Sequence, residues 1–133
     1  MTEERKLNIQ LTIDISVKEI SYLIITAMEH CGYWAQVVGE SKLPPGMECY
    51  DRFFNLATDG WIDFGLRDEM GPDFELTEGA KVYRLNDHSI QEGLKLMAQK
   101  CPIHFGDFLK DNHDAITADV FLQCCLLGDL VYG

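Results

Sequence analysis

Apolar residues recur at helical spacing along one stretch of the chain. Val17, Ile20, Leu23, Ile24, Ala27, Met28 and Cys31 form one continuous stripe, which predicts an amphipathic helix from Ser16 to Gly32. Ser16-Val17-Lys18-Glu19 reads as a capping box: the Ser hydroxyl accepts from a free helix N–H, and the Glu reaches back. Gly32 stands where a left-handed C′ residue ends a helix. Just upstream the period changes to two. From Lys6 to Ile15, Leu7, Ile9, Leu11 and Ile13 alternate with Asn8, Gln10, Thr12 and Asp14, the pattern of a half-buried strand. Helix and strand are expected to bury Val17, Ile20, Leu23, Ile24 and Met28 against Leu7, Ile9, Leu11 and Ile13.

The rest of the chain alternates strand and turn signals before turning helical. Tyr33-Trp34-Ala35-Gln36-Val37-Val38 reads as a second strand, closed by Gly39. Pro44-Pro45-Gly46 makes Glu40 to Glu48 a connector or a binding loop. Asp51 to Arg67 reads as a hairpin about Thr58-Asp59-Gly60, with Phe54 and Leu56 on one arm and Ile62, Phe64 and Leu66 on the other. Asp68 to Gly79 is an acidic loop containing Gly71-Pro72, and Lys81 to Leu85 is a last strand. Asn86 or Asp87 caps a helix running to Lys100, which Pro102 ends. Ile103 to Leu109 forms a short helical turn, and a final helix spans Ala115 to Leu127 before Gly128.

This order, β-α-β-β-β-β-α-α, predicts one α+β domain over residues 1–133. A mainly antiparallel sheet of about five strands carries helices on one face. The final helix has Ile116, Val120, Phe121, Cys124 and Leu127 on one side and Leu122, Cys125 and Leu126 elsewhere around it. A helix apolar nearly all round is buried on more than one side. The expectation is a homodimer through this helix, or through the tail after Gly128, unless the meander curls round and buries it within one chain.

Composition narrows the partners. The 133 residues include 22 acidic and 11 basic side chains, a formal charge of -11. That disfavours nucleic-acid phosphates and anionic membranes and favours a basic protein partner. Five cysteines without regular spacing do not read as a disulfide framework. The acidic start Met1-Thr2-Glu3-Glu4 does not read as a signal peptide, and no apolar run reaches transmembrane length. The expected compartment is the cytoplasm of a bacterial cell.

Candidate chemistry is sparse. His30-Cys31, Cys49, Cys101, His104 and His113 are the possible metal ligands, but only Cys101 and His104 are closely spaced and their partner pair is missing, so no metal or cofactor is expected. No G-x-S-x-G elbow, phosphate loop or dinucleotide fingerprint is present, so the chain is read as non-enzymatic. The aromatics say more. Tyr33, Trp34, Trp61 and Tyr132 are able to line a concave patch or an interface, although aromatics more often cover a core. Trp61 falls on the polar face of its strand, beside Asp63 and opposite Phe53 and Asn55, and is expected to be partly exposed. From Asp51 to Gly79, Asp51, Asp59, Asp63, Asp68, Glu69, Asp73, Glu75 and Glu78 stand against only Arg52 and Arg67. Such a run usually marks a solvated edge; functionally, it presents negative charge to a basic protein. The candidate binding residues are therefore Tyr33, Trp34, Trp61, Asp59, Asp63, Asp68, Glu69 and Asp73.

Two stretches carry a resemblance. Gly32-Tyr33-Trp34 follows the first helix, and Asp119-Val120-Phe121-Leu122-Gln123-Cys124-Cys125-Leu126-Leu127-Gly128-Asp129-Leu130-Val131-Tyr132-Gly133 closes the chain. Together they resemble a family of small, acidic, uncharacterised phage and prophage proteins, whose members end in a helix followed by Gly, an acid, two aliphatics, an aromatic and Gly. The resemblance implies a phage context without an established activity, and no catalytic residue carries over. The function expected is an accessory protein that binds and blocks a host component, such as a basic or nucleic-acid-binding defence protein. One alternative is a sponge for a small nucleotide-type signal, with Lys42, Arg52, Arg67 and Arg84 as the available cations. A virion assembly role is another.

Overall fold

The computed structural model describes residues 5–42, 45, 46, 56, 60–110 and 114–133. Among them the element order is α1 (Val17–His30), β1 (Ala35–Glu40), β2 (Ile62–Leu66), β3 (Tyr83–Leu85), α2 (Asp87–Lys100), α3 (Pro102–Leu109) and α4 (Ala115–Leu127). The class is α+β, and the strands form an antiparallel sheet in the order β1-β2-β3.

Local chemistry accounts for most element ends. Ser16 caps α1 by accepting from the Glu19 N–H at 3.1 Å. Asn86 caps α2 reciprocally: its side chain accepts from Ser89 N–H at 3.0 Å, and its own N–H donates to the Ser89 hydroxyl at 2.8 Å. Pro102 sits at the start of α3, where its missing N–H costs nothing, so the residue that ends one helix begins the next. Asp114 caps α4 through the Thr117 N–H, and this bond holds its carboxyl below the usual range. Gly128 ends α4 in the left-handed region.

Several sequence expectations change. Gly32 is not a left-handed cap: α1 tightens into a 3₁₀ turn over Cys31–Tyr33, and Trp34 N–H donates to Cys31 C=O at 3.0 Å. The next strand therefore starts at Ala35 rather than Tyr33, and Trp34 is core instead of a strand-borne interface residue. Among the described residues the sheet has three strands; the first hairpin arm and most of the Thr58-Asp59-Gly60 turn lie outside them. Lys6 to Ile15 joins no sheet, and Leu7, Ile9, Leu11 and Ile13 are all exposed. Alternation specifies which face a strand would bury, and no described strand lies alongside to receive it. Val17, on the same side of the molecule, is exposed as well.

The core forms around α4 instead. Leu23, Ile24 and Ala27 of α1, Ile90 and Met97 of α2 and Phe108 of α3 are buried with Ala118, Phe121, Leu122 and Cys124. Ile62, Phe64 and Leu85 close the sheet side. The final helix is thus covered from within one chain by three helices and β3, which removes its all-round apolar character as a reason for dimerisation. Gly93 allows α2 to approach α4: a Cβ there would lie 2.7 Å from the Cys125 Cα and 2.8 Å from its N.

Two substitutions test this packing. Leu23 is fully buried, so Leu23→Ala should cost about 2–5 kcal/mol in urea unfolding. Gly93→Ala gains about 1 kcal/mol of helix propensity yet forces a backbone clash that costs about 1–3 kcal/mol or more. The variant should therefore be less stable than the parent, and a rise in melting temperature would show that α2 and α4 are not in close contact.

Candidate functional site

Two local structures gather the polar chemistry, and one residue joins them. The first lies where the chain's halves meet. Asp119, on the first half of α4, is half-buried and takes three donors: the Tyr33 hydroxyl, the Trp34 indole N–H at 2.7 Å and the Gln123 amide at 3.4 Å. Gln123 is fully buried and clamps the tail. Its carbonyl accepts from Val131 and Tyr132 N–H at 2.9 Å each, and its amide donates to Tyr132 C=O at 2.8 Å. The tail so held stacks Tyr132 on Trp34, ring centres 5.4 Å apart. Tyr33, Asp119, Gln123 and Tyr132 line a cleft of about 580 Å³ whose other walls are Ile116, Val120, Leu130 and Val131.

The electrostatics follow from that geometry. Burial and then the hydrogen bond to Asp119 push the Tyr33 hydroxyl up to about 12 from 10.0. Burial, and then the Asp119 charge, push the Cys31 thiol up to about 11, so it is a poor nucleophile at neutral pH. The cleft presents a carboxylate and amide groups already occupied by the chain itself. Among the described residues, no Lys or Arg lines it, and no group of three or more His, Cys, Asp and Glu is arranged to hold a metal.

The second structure is the acidic loop between β2 and β3. Its ends are drawn together by a bridge between Met70 and Leu76, with Gly71 N–H donating to Glu75 C=O at 2.9 Å and Thr77 N–H to Glu69 C=O at 3.1 Å. Leu76 and Met70 pack onto β2 at Gly65, where any side chain would run into Leu76. At the tip, Phe74 holds φ at 58°, a region that non-glycine residues avoid, yet the residue is 58% exposed. The Arg67 guanidinium lies 4.3 Å from that ring's centre. Asp73, Glu75 and Glu78 on the same loop are exposed. Asp68 accepts from the Tyr132 hydroxyl at 3.2 Å, and so ties this loop to the cleft.

The sequence candidates divide accordingly. Tyr33 and Trp34 meet at Asp119; Asp68, Glu69 and Asp73 belong to the acidic loop. Trp61 is half-buried, with the Arg84 guanidinium 3.9 Å above its ring, and Arg84 grips Asp63 through two bonds of 2.8 and 3.1 Å. These three form a patch on the outer face of the sheet, separate from the cleft. Asp59 and Arg52 lie outside the described residues. Lys42 is exposed just beyond β1. Sequence reasoning missed Asp119, Gln123 and Phe74 as site residues. The first two stand within the C-terminal stretch already singled out, about a hundred positions from Trp34 in the case of the tail; Phe74 is marked only by a backbone angle.

Two measurements check the site. The raised Tyr33 value means that the fold favours the neutral hydroxyl, whose contribution is complete below pH 10 and is lost as pH rises towards 12. The stability gap between the parent and Tyr33→Phe should hold below pH 10 and close above it. Phe74→Gly removes a left-handed penalty of about 1–2 kcal/mol and adds chain entropy of about 0.5–1 kcal/mol in the unfolded state. It should therefore leave the melting temperature unchanged or higher, despite deleting an aromatic side chain.

Set against family models, curated proteins and solved structures, the chain matches none.

Proposed function

We propose that this chain is a non-enzymatic phage-type accessory protein that binds a basic surface of a host protein and blocks it. The acidic loop from Arg67 to Ala80 is the contact. The observation that carries this reading is the tip of that loop: an exposed Phe74 in a strained conformation, flanked in the chain by the exposed Asp73 and Glu75, on a loop pinned to β2. Strain at an aromatic left 58% exposed is poorly repaid by burial, which points to a use outside the fold. An aromatic anchor inside a charged rim is the usual make-up of a binding hot spot. Arg67 keeps its charge over Phe74, but it is one cation against the five carboxylates of Asp68, Glu69, Asp73, Glu75 and Glu78, so the loop stays negative. The resulting field would speed encounter with a basic partner and weaken with salt.

The nucleotide-sponge alternative has less support. It needs cations converging on aromatics, but Arg84 is held by Asp63 over Trp61, Arg67 is part of the acidic tip, and the cleft beside Trp34 carries Asp119 instead. A virion role rests on the phage resemblance alone.

The test is a pull-down from bacterial lysate with three baits in parallel: the parent, Phe74→Gly, and a double variant carrying Asp73→Lys and Glu75→Lys. A partner captured by the parent at low salt should fall at least tenfold with either variant and elute as salt is raised. A partner retained equally by all three baits would remove the acidic loop from the interface. In a nucleotide thermal-shift screen the parent should show no rise in melting temperature; a rise would favour the sponge.

A further inference from the structure

The segment Lys6–Ile15 has a strand's pattern without a strand's partners. Its four apolar residues are all exposed: Leu7 87%, Ile9 71%, Leu11 80% and Ile13 48%. Among the described residues, no backbone hydrogen bond from another segment reaches residues 6–15. Period-two alternation has no use in a segment solvated on both sides, and an open strand of this composition invites pairing. Beside it runs an apolar groove of about 500 Å³, walled by Leu11, Ile13, Ile15 and Ile20 on one side and by Leu94, Ala98 and Phe105 on the other.

The segment is complementary to itself. Set two copies antiparallel with Gln10 on the two-fold axis. Lys6 then faces Asp14, so opposite charges meet at both ends of the ribbon. Leu7 faces Ile13 and Ile9 faces Leu11, all on one side. Asn8 faces Thr12 on the other side, with the two Gln10 residues at the centre. No register one residue away keeps the charges paired and the faces separate, because an odd shift places apolar residues opposite polar ones. The groove supplies what a two-stranded ribbon lacks alone, namely cover for its apolar face. Leu11 and Ile13 line the groove of their own protomer, so their cross-strand partners Ile9 and Leu7 arrive from the second copy over that same groove.

We infer that Lys6–Ile15 pairs antiparallel with the same segment of a second copy, centred on Gln10, and that the apolar face of the ribbon closes the two grooves beside α1 and α2. The ribbon and the two grooves that it closes are the surfaces available to reach the ~1,000 Å² that marks a stable interface. The pairing is isologous, as two-fold symmetry requires, and it uses neither the final helix nor the acidic loop. It is independent of the proposed host partner.

The experiment is sedimentation equilibrium of the full chain from 1 to about 200 µM, a range that brackets the affinities of modest interfaces. The parent should be a dimer. Ile9→Asp and Leu11→Asp, each present twice in the ribbon, should raise the dissociation constant on the order of 100-fold or more. Both residues are exposed in the isolated chain, so far-UV circular dichroism of the variants should match the parent. A charge swap tests the register: Lys6→Asp alone and Asp14→Lys alone should each weaken the dimer several-fold, and the double variant should restore it. A Gln10→Cys variant should form an interchain disulfide under mild oxidation, whereas Asn8→Cys, whose counterpart is Thr12, should not. A monomeric parent across the range overturns the inference. A dimer indifferent to Ile9→Asp and Leu11→Asp overturns it too, since the contact would then lie on another surface. Weakening by the single charge variants without rescue by the double variant rejects this register.

Discussion

Helix α4 must be buried round most of its circumference, and the other elements are arranged to do it. Thr117, Ala118, Val120, Phe121, Leu122, Gln123, Cys124 and Leu126 are all buried, and together they run round the helix instead of along one stripe. A three-stranded sheet covers one side of such a helix at most. The remaining sides are taken by α1, α2 and α3, which pack round it as a collar. Close approach of α2 is possible only because position 93 carries no side chain. The short β3 reaches the same core through Leu85. The fold is better described as a helical collar with a small sheet at its side than as a sheet with helices laid upon it.

The polar residues of α4 determine how the chain's ends are joined. Gln123 is a buried amide, and leaving its donors and acceptor unpaired would cost about 1–3 kcal/mol. Its three short bonds to Val131 and Tyr132 satisfy it and bring the tail back along the helix. Asp119, one turn earlier, does the same for the segment after α1 by receiving Tyr33 and Trp34. Trp34 is then enclosed by Tyr132, which the clamp on the tail has positioned. Tyr33 and Trp34 therefore form one cluster with Asp119, Gln123 and the C-terminal stretch, and their residue types are explained by mutual support within the fold.

The acidic character is concentrated on the opposite kind of surface. The loop after β2 is short of apolar residues to bury, and Met70 and Leu76 serve as its anchors on the sheet. With those two in place, Phe74 is left outside. Asp68 connects this loop to Tyr132, so the clamp within the core and the charged loop share a hydrogen bond. The outer face of the sheet adds Asp63, Arg84 and Trp61 as a self-contained set, in which cation, carboxylate and ring satisfy one another.

Local chemistry was legible in the sequence wherever it was decided by neighbours in the chain. The helix over 17–30, the caps at Ser16 and Asn86, the helix to Lys100 and the final helix all follow from spacing and capping residues a few positions apart. The α+β class and the partial exposure of Trp61 were readable for the same reason. What only the tertiary structure decided involves residues far apart. Tyr33 and Asp119 are separated by 86 positions, and nothing about either residue alone identifies the other as its partner. The alternation from Leu7 to Ile13 specifies two faces but not the surface that covers one of them, so a strand pattern appears here without a sheet in the single chain. The all-round apolar helix likewise demanded cover without naming its source, and the chain supplied it by wrapping α1, α2 and α3 about α4. Periodicity records how much surface must leave water; the choice of what meets it belongs to the packing of the whole chain.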